Sequence, residues 1–209
     1  MVSAMKLYFS PLACSLAARI ALYEAGASVD FVHVDPSSKR TPDGVDYASI
    51  HALGQVPLLE CEHGLLSENA AILQYIALRY PLAELAPTDA WGQSELRQWL
   101  SFIGTELHKA VFTPLLERSA PGDAKRFALS KADARLSCVA LRLAKRRFLL
   151  ERFSVADAYL FAVLNWAAVT PIELKAWPEL ERFRHALLER PQVARAFAEE
   201  RALYRTEPR

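Results

Sequence analysis

Along the first eighty residues the spacing of apolar positions changes repeatedly; beyond them it keeps a helical period to the end. Residues 6–9 form a short aromatic run stopped by Ser10-Pro11, the pattern of a strand. Over 13–25, Leu16, Ile20, Ala21 and Tyr23 recur at near-helical spacing and Gly26 closes the run, which predicts a helix. Residues 29–34 predict a second strand, and 39–49, with Pro42 and Gly44, a polar loop with room for a short helix. Residues 56–59 predict a third strand, and 64–66 the end of a hairpin. Over 68–79, Ala71, Ile72, Tyr75 and Ile76 fall on one stripe, an amphipathic helix. The order is βαβ, hairpin, α.

Residues 80–90 carry Pro81 and Pro87 and read as a linker. All later patterns are helical. A long helix is expected over 91–115, ended near Pro114, and another over 124–147. Residues 154–169 are apolar enough to be buried, and two short helices, 178–189 and 191–200, each open on a proline. The fold class is therefore α/β plus all-α, with domains expected at 5–82 and 90–205.

Composition changes this picture little. The 209 residues are 52% hydrophobic and 23% charged with a formal net charge of +1, so nothing calls for nucleic acid or an anionic membrane. No run reaches the roughly 18 apolar residues of a membrane span. The N-terminal apolar stretch, broken by Ser10 and Pro11, is no convincing signal peptide. Cys14, Cys61 and Cys138 are an odd, widely spaced set, which suggests neither a disulfide framework nor a zinc site and agrees with a reducing cytoplasm.

Five groups of residues bear on chemistry. Cys14 sits where a strand passes into a helix, a position whose backbone N–H groups and dipole favour a thiolate; the plainer alternative is a small buried residue. Val56-Pro57 enters a strand, where proline cannot donate to a ladder. A cis bond would leave the Val56 backbone free to pair with a ligand, and an edge strand with a trans proline is the alternative. Ser67 reads as an N-cap, with Glu68 and Asn69 following at a helix N-terminus suited to a carboxylate; a capped helix without a ligand is the plainer alternative and, on this motif alone, the favoured one. Ser101, Thr105, His108 and Phe112 follow at i, i+4, i+7 and i+11, one face of a straight helix and a candidate cleft wall. Ser154 and Asp157 have the form of a capping box before an apolar helix, read as structural.

Taken in order, KLYFSPLACSLAARIAL, GQVPLL, LLSENAAILQYIA, QWLSFIGTELHK and FSVADAYLFAVLNWA resemble the bacterial beta class of cytosolic glutathione transferases, from Met5 to about Glu200. The resemblance implies an N-terminal thioredoxin-like domain that binds glutathione and a C-terminal helical domain that binds the electrophile. It makes Cys14 the active-site cysteine, beside the glutathione sulfur and able to form a mixed disulfide with it. It pairs Val56, before Pro57, with the cysteinyl backbone of glutathione. It gives Glu68 and Asn69 the γ-glutamyl end and Lys39 the glycyl carboxylate. It matches His108 and Lys109 to a His-Lys pair, with His108 as second catalytic residue. Ser101 and Thr105 match positions that reach the partner's glutathione in dimeric relatives. Trp166, with Phe112 and Leu12, lines the hydrophobic pocket. Asn69 stands where relatives carry Ser or Gly, and residues 149–153 lack the Gly-Asp that usually precedes the capping box.

The implied activity is conjugation of the glutathione thiolate to small hydrophobic electrophiles, with glutathione as co-substrate, no cofactor and no metal, in a cytoplasmic homodimer. Two further readings share these residues: a glutathione-dependent thiol-disulfide reductase using Cys14, and a non-enzymatic glutathione-binding protein of the same fold.

Overall fold

The computed structural model describes residues 5–206; residues 1–4, which precede the resemblance, lie outside it. The chain forms two compact units: residues up to Leu85 together with those from Pro191 onward, and Ala86–Arg190.

The first unit is built on four strands. β1 (Met5–Phe9) pairs in parallel with β2 (Val29–His33) and antiparallel with β3 (Leu58–Cys61), which pairs antiparallel with β4 (Gly64–Ser67). The order β2-β1-β3-β4 puts β1 at the centre, and accordingly its Leu7 and Phe9 are buried. The parallel β1–β2 pair needs a crossover, supplied by α1 (Leu16–Glu24). The hairpin β3–β4 leads into α2 (Asn69–Arg79). The third strand starts two residues later than its apolar pattern suggests, because Val56-Pro57 is a cis peptide that stands outside the ladder.

The last helix, α8 (Pro191–Thr206), packs on α1 within this same unit. The sequence reading groups it with the helical domain, since periodicity reveals an apolar face and not what covers it. Between the two helices Arg19 is 4% exposed and Glu200 fully buried, with Nε and Oε1 3.1 Å apart. Arg19 Nη1 also reaches Glu199 Oε2 at 3.0 Å, and its guanidinium lies over the rings of Phe9 and Phe31. The other Glu200 oxygen accepts the Leu12 N–H at 2.8 Å.

The second unit comprises α3 (Ala90–Phe102), a π-helical segment (Ile103–Phe112), α4 (Thr113–Leu116), α5 (Gly122–Leu143), α6 (Val155–Leu164) and α7 (Pro178–Leu188). The first three form one continuous rod that ends at Leu116, one residue past its expected end and with Pro114 inside its last turn. Proline in a straight α-helix would press its ring on the carbonyl four residues back, here that of Ala110. The chain instead widens. The Thr113 N–H bonds His108 O five residues back, and Thr113 Oγ1 donates to the same oxygen at 2.9 Å.

Every residue of α6 is buried, so its apolar composition is explained on all sides. The expected capping box is present: Ser154 and Asp157 satisfy each other's backbone N–H. Asp157, fully buried, also accepts the Leu149 N–H at 2.8 Å, which ties down the loop that lacks Gly-Asp. Burial pushes the Asp157 carboxyl up to about 6, against the pull of these donors.

Asp157→Ala should therefore cost about 2–4 kcal/mol, since at least two buried N–H donors lose their acceptor. The raised pKa means the folded chain holds a proton, between the unfolded value and about pH 6, that the unfolded chain has released. Stability from this group thus falls as pH rises through that window. Urea unfolding should give a larger wild-type advantage near pH 4 than at pH 7; an equal or reversed difference would contradict this.

Candidate active site

In the first unit the loop after β1 is set by a small hydrogen-bond knot. Ser10 Oγ donates to Val34 O at 2.6 Å, Ser15 Oγ donates to Ser10 O at 3.2 Å, and the Ala13 N–H returns to Ser10 O. Leu12 at φ 58° turns the chain back, in a region that non-glycine residues seldom adopt. Cys14 follows, one residue before the N-cap Ser15 of α1, as its place in the sequence implies.

Cys14 is buried, and its Sγ–H donates to Val56 O at 3.3 Å. This engages the Val56 carbonyl, which the sequence reading left open for a ligand. It also bears on the thiolate expected at a helix start, because an S–H donates to a carbonyl and a thiolate does not. Asn69 Nδ2 donates to Cys14 O at 3.2 Å, so the start of α2, the turn before α1 and the Val56-Pro57 loop meet around one cysteine. Leu12 is half-buried beside it in sequence.

Ser67 does not cap α2, as its residue type suggests; it ends β4. The N-cap is Glu68, exposed, at φ 68° and ψ 116°, with no side-chain cap. Such a backbone costs on the order of 1–3 kcal/mol in a non-glycine residue and is typical of a ligand-holding position. Lys39 is exposed on the loop after β2, also at positive φ (56°), its N–H on Asp35 O and its carbonyl taken by the Tyr47 N–H.

In the second unit the stripe expected over Ser101, Thr105, His108 and Phe112 does not survive as one face. Ser101, Thr105 and Lys109 are exposed, His108 is half-buried and Phe112 fully buried, while Ile103, Leu107 and Val111 point inward. Hydrogen bonds spanning five residues widen the turn beyond the α value of 3.6, so positions four apart stay on one side. The expected face assumed a straight α-helix.

His108 Nδ1 lies 2.8 Å from Tyr159 OH, and its ring packs edge-on against Trp166 with centroids 4.8 Å apart. Trp166 in turn meets Phe112 at 5.8 Å. Burial, with the Lys109 charge adding, pushes the His108 pKa down to about 4. The imidazole is therefore neutral at pH 7, a poor donor of a proton and a weak base. Tyr159 is a member of this group that the sequence reading missed. Its signal was a hydroxyl among the apolar residues that follow Asp157 in α6, where a buried O–H requires a partner.

A cavity of about 370 Å³ in this unit, walled by Lys145, Arg146, Arg147 and Arg182, contains none of these residues. The three cysteines form no disulfide; Cys61 is half-buried and Cys138 exposed.

A small mixed sheet presenting a cysteine beside a cis-proline loop and a helix start, followed by an all-helical unit, defines a thioredoxin-like domain joined to a helical one. Residues 3–78 match the family model of the glutathione S-transferase N-terminal domain, and 106–191 that of its C-terminal domain. The chain belongs to the glutathione S-transferase family. It is 38% identical to glutathione S-transferase GstA of Escherichia coli O157:H7, over 94% of this chain and 98% of that one. Among solved structures it is similar to a ternary complex of BphK, a bacterial glutathione S-transferase (TM-score 0.90, 41% identity, 93% of this chain and 98% of that one). It is also similar to the bacterial beta-class enzyme of Sphingomonas chungbukensis (TM-score 0.88, 39% identity, 93% and 98%). The resemblance drawn from the sequence motifs is thereby shown, and with it the fold class.

Because His108 takes up a proton only toward pH 4, the rate of conjugation should carry no histidine step between pH 5.5 and 8. A limb with a midpoint near 6.5 that disappears in His108→Gln would show that the imidazole titrates in the reaction.

Proposed function

We propose that this chain conjugates the thiolate of glutathione to small hydrophobic electrophiles, with glutathione as a co-substrate and no further cofactor. The observation that carries the reading is the meeting of Cys14, Val56 and Asn69 next to the strained Glu68 backbone. That arrangement offers a helix N-terminus, a carboxylate and a sulfur site within one domain. It is supported by a similar sphingomonad glutathione S-transferase, 39% identical, solved in complex with glutathione.

On this reading the region 5–82 binds glutathione. Glu68 takes the α-ammonium of its γ-glutamyl end, and the backbone at the start of α2, where Asn69 stands, takes the carboxylate. Val56 pairs with the cysteinyl backbone next to Pro57, and Lys39 reaches the glycyl carboxylate. The helical region within 90–205, apart from α8, holds the electrophile at Trp166, with the buried Phe112 packed behind its ring. Ser101 and Thr105, both exposed, serve the glutathione of a partner protomer; Lys109, also exposed, forms with His108 the His-Lys pair assigned to glutathione. His108, neutral and paired with Tyr159, contributes a hydrogen bond and shape, and Cys14 lies by the glutathione sulfur.

Free glutathione is mostly protonated at neutral pH and only its thiolate attacks well. The site's tasks are therefore to favour the thiolate and to align it with the electrophile. Among the described residues no helix is long and apolar enough to cross a membrane. A cytoplasmic homodimer is the assembly we assign, consistent with Leu78 and Leu82 being 71% and 98% exposed.

The Cys14 thiol also favours a second activity, exchange with oxidised glutathione. Its sulfur attacks one sulfur of the disulfide, the S–S bond breaks, a Cys14–glutathione bond forms, and one glutathione leaves with the proton released by Cys14.

Two variants test the assignment. Glu68→Ala should weaken glutathione binding by about tenfold or more in titration calorimetry, since the ammonium loses its charged partner; an unchanged dissociation constant would refute the role given to Glu68. Cys14→Ser should abolish mixed-disulfide formation with oxidised glutathione and spare part of the conjugation of a chloronitrobenzene. Loss of both activities to the same degree would show that conjugation also needs the thiol.

A further inference from the structure

The side chain of Asn69 is committed elsewhere than to a ligand. The residue is 6% exposed, and its Nδ2 donates to the Cys14 carbonyl at 3.2 Å, across 55 positions of sequence. That same carbonyl accepts the Ala17 N–H at 3.1 Å, so both of its lone pairs are in use, one for the first turn of α1 and one for Asn69. The other end of Cys14 is held as well, by Sγ–H donation to Val56 O. Reversing the amide would set Oδ1 against the carbonyl, two acceptors face to face, so the network fixes the orientation. Oδ1 finds no partner among the described residues, a cost of about 1–3 kcal/mol for a buried acceptor. A residue retained at that cost has its benefit on the nitrogen side, in the bond to Cys14.

We infer that Asn69 is a positioning residue for Cys14: its amide clamps the cysteine's carbonyl, and so its sulfur, to the start of α2. Only the Asn69 backbone then remains for the γ-glutamyl group. The clamp joins the helix end that receives the γ-glutamyl end of glutathione to the cysteine beside its sulfur. This rests on the glutathione-binding reading above, but the clamp itself exists without ligand, and its test is made on the ligand-free enzyme.

Asn69→Ala and Asn69→Asp are compared with wild type. The aspartate matches asparagine in size and suits a helix N-terminus, so it keeps the packing and removes the donor. Iodoacetamide labelling of each cysteine is followed by mass spectrometry without glutathione, with half-buried Cys61 in the same unit as internal reference. Cys14 should label about fivefold faster, or more, in both variants, the scale of one lost hydrogen bond, with Cys61 unchanged. Glutathione affinity is read on Asn69→Ala alone, because an aspartate at the helix start repels the γ-glutamyl carboxylate; it should fall by a smaller factor than the labelling rises. Unchanged Cys14 labelling with affinity lowered tenfold or more would make the side chain a ligand contact and overturn the inference. Parallel acceleration of Cys14 and Cys61 would overturn it as well, by showing general loosening. A wild type with no measurable glutathione affinity would defeat the functional reading; the labelling comparison would still decide the clamp.

Discussion

The first unit is held in its working form by one buried ion pair. Arg19 and Glu200 lie almost wholly out of water, on α1 and α8, and each is indispensable to the other. Removing one partner of such a pair leaves an unpaired charge in a low-dielectric interior, at a cost of about 3–5 kcal/mol. Glu200 also accepts the Leu12 N–H, so the same carboxylate that pins the last helix fixes the φ 58° turn two residues before Cys14. Burial pushes the Glu200 carboxyl up, and the guanidinium and the Leu12 N–H oppose that shift and favour the charged form. The cysteine loop thus depends on a residue near the far end of the chain.

Much of this was legible in the sequence, for identifiable reasons. The strands and α1 and α2 lay within patterned apolar runs bounded by Gly or Pro, where apolar spacing is a direct imprint of the buried face, and α6 lay in a run apolar enough to be buried on all sides. Ser154 and Asp157 declared themselves because a capping box is a local motif. The Val56-Pro57 cis bond was inferable because a proline entering a strand needs an explanation.

What escaped the sequence was non-local or depended on helix type. α8 has a readable apolar face, but its cover is α1, some 170 positions earlier, and no local signal encodes that. Arg19 reads as a solvated charge until Glu200 and two aromatic rings are seen around it. Ser67 looked like the cap of α2 by residue type, yet the strand hydrogen-bonds through it and Glu68 takes the turn at positive φ. The Ser101–Phe112 stripe failed because it was laid out on 3.6 residues per turn, whereas the backbone there bonds over five. The resemblance paired Asn69 with Glu68 at the ligand, while the bond of its side chain to the Cys14 carbonyl, 55 positions away, has no local signal.

The π segment also gives the rod a spare residue. A ten-residue stretch bonded over five positions contains more chain per turn than the α-helix would use. Loss of one residue there would tighten the segment toward α-helical bonding and bring the Pro114 ring back onto the carbonyl four residues before it, so the rod would kink at its end. His108 would keep its neighbours in sequence but turn away from Tyr159 and Trp166. A change in chain length would thus remodel the aromatic group and the end of the rod together, which makes this segment a place where length as well as residue type sets the shape offered to a substrate.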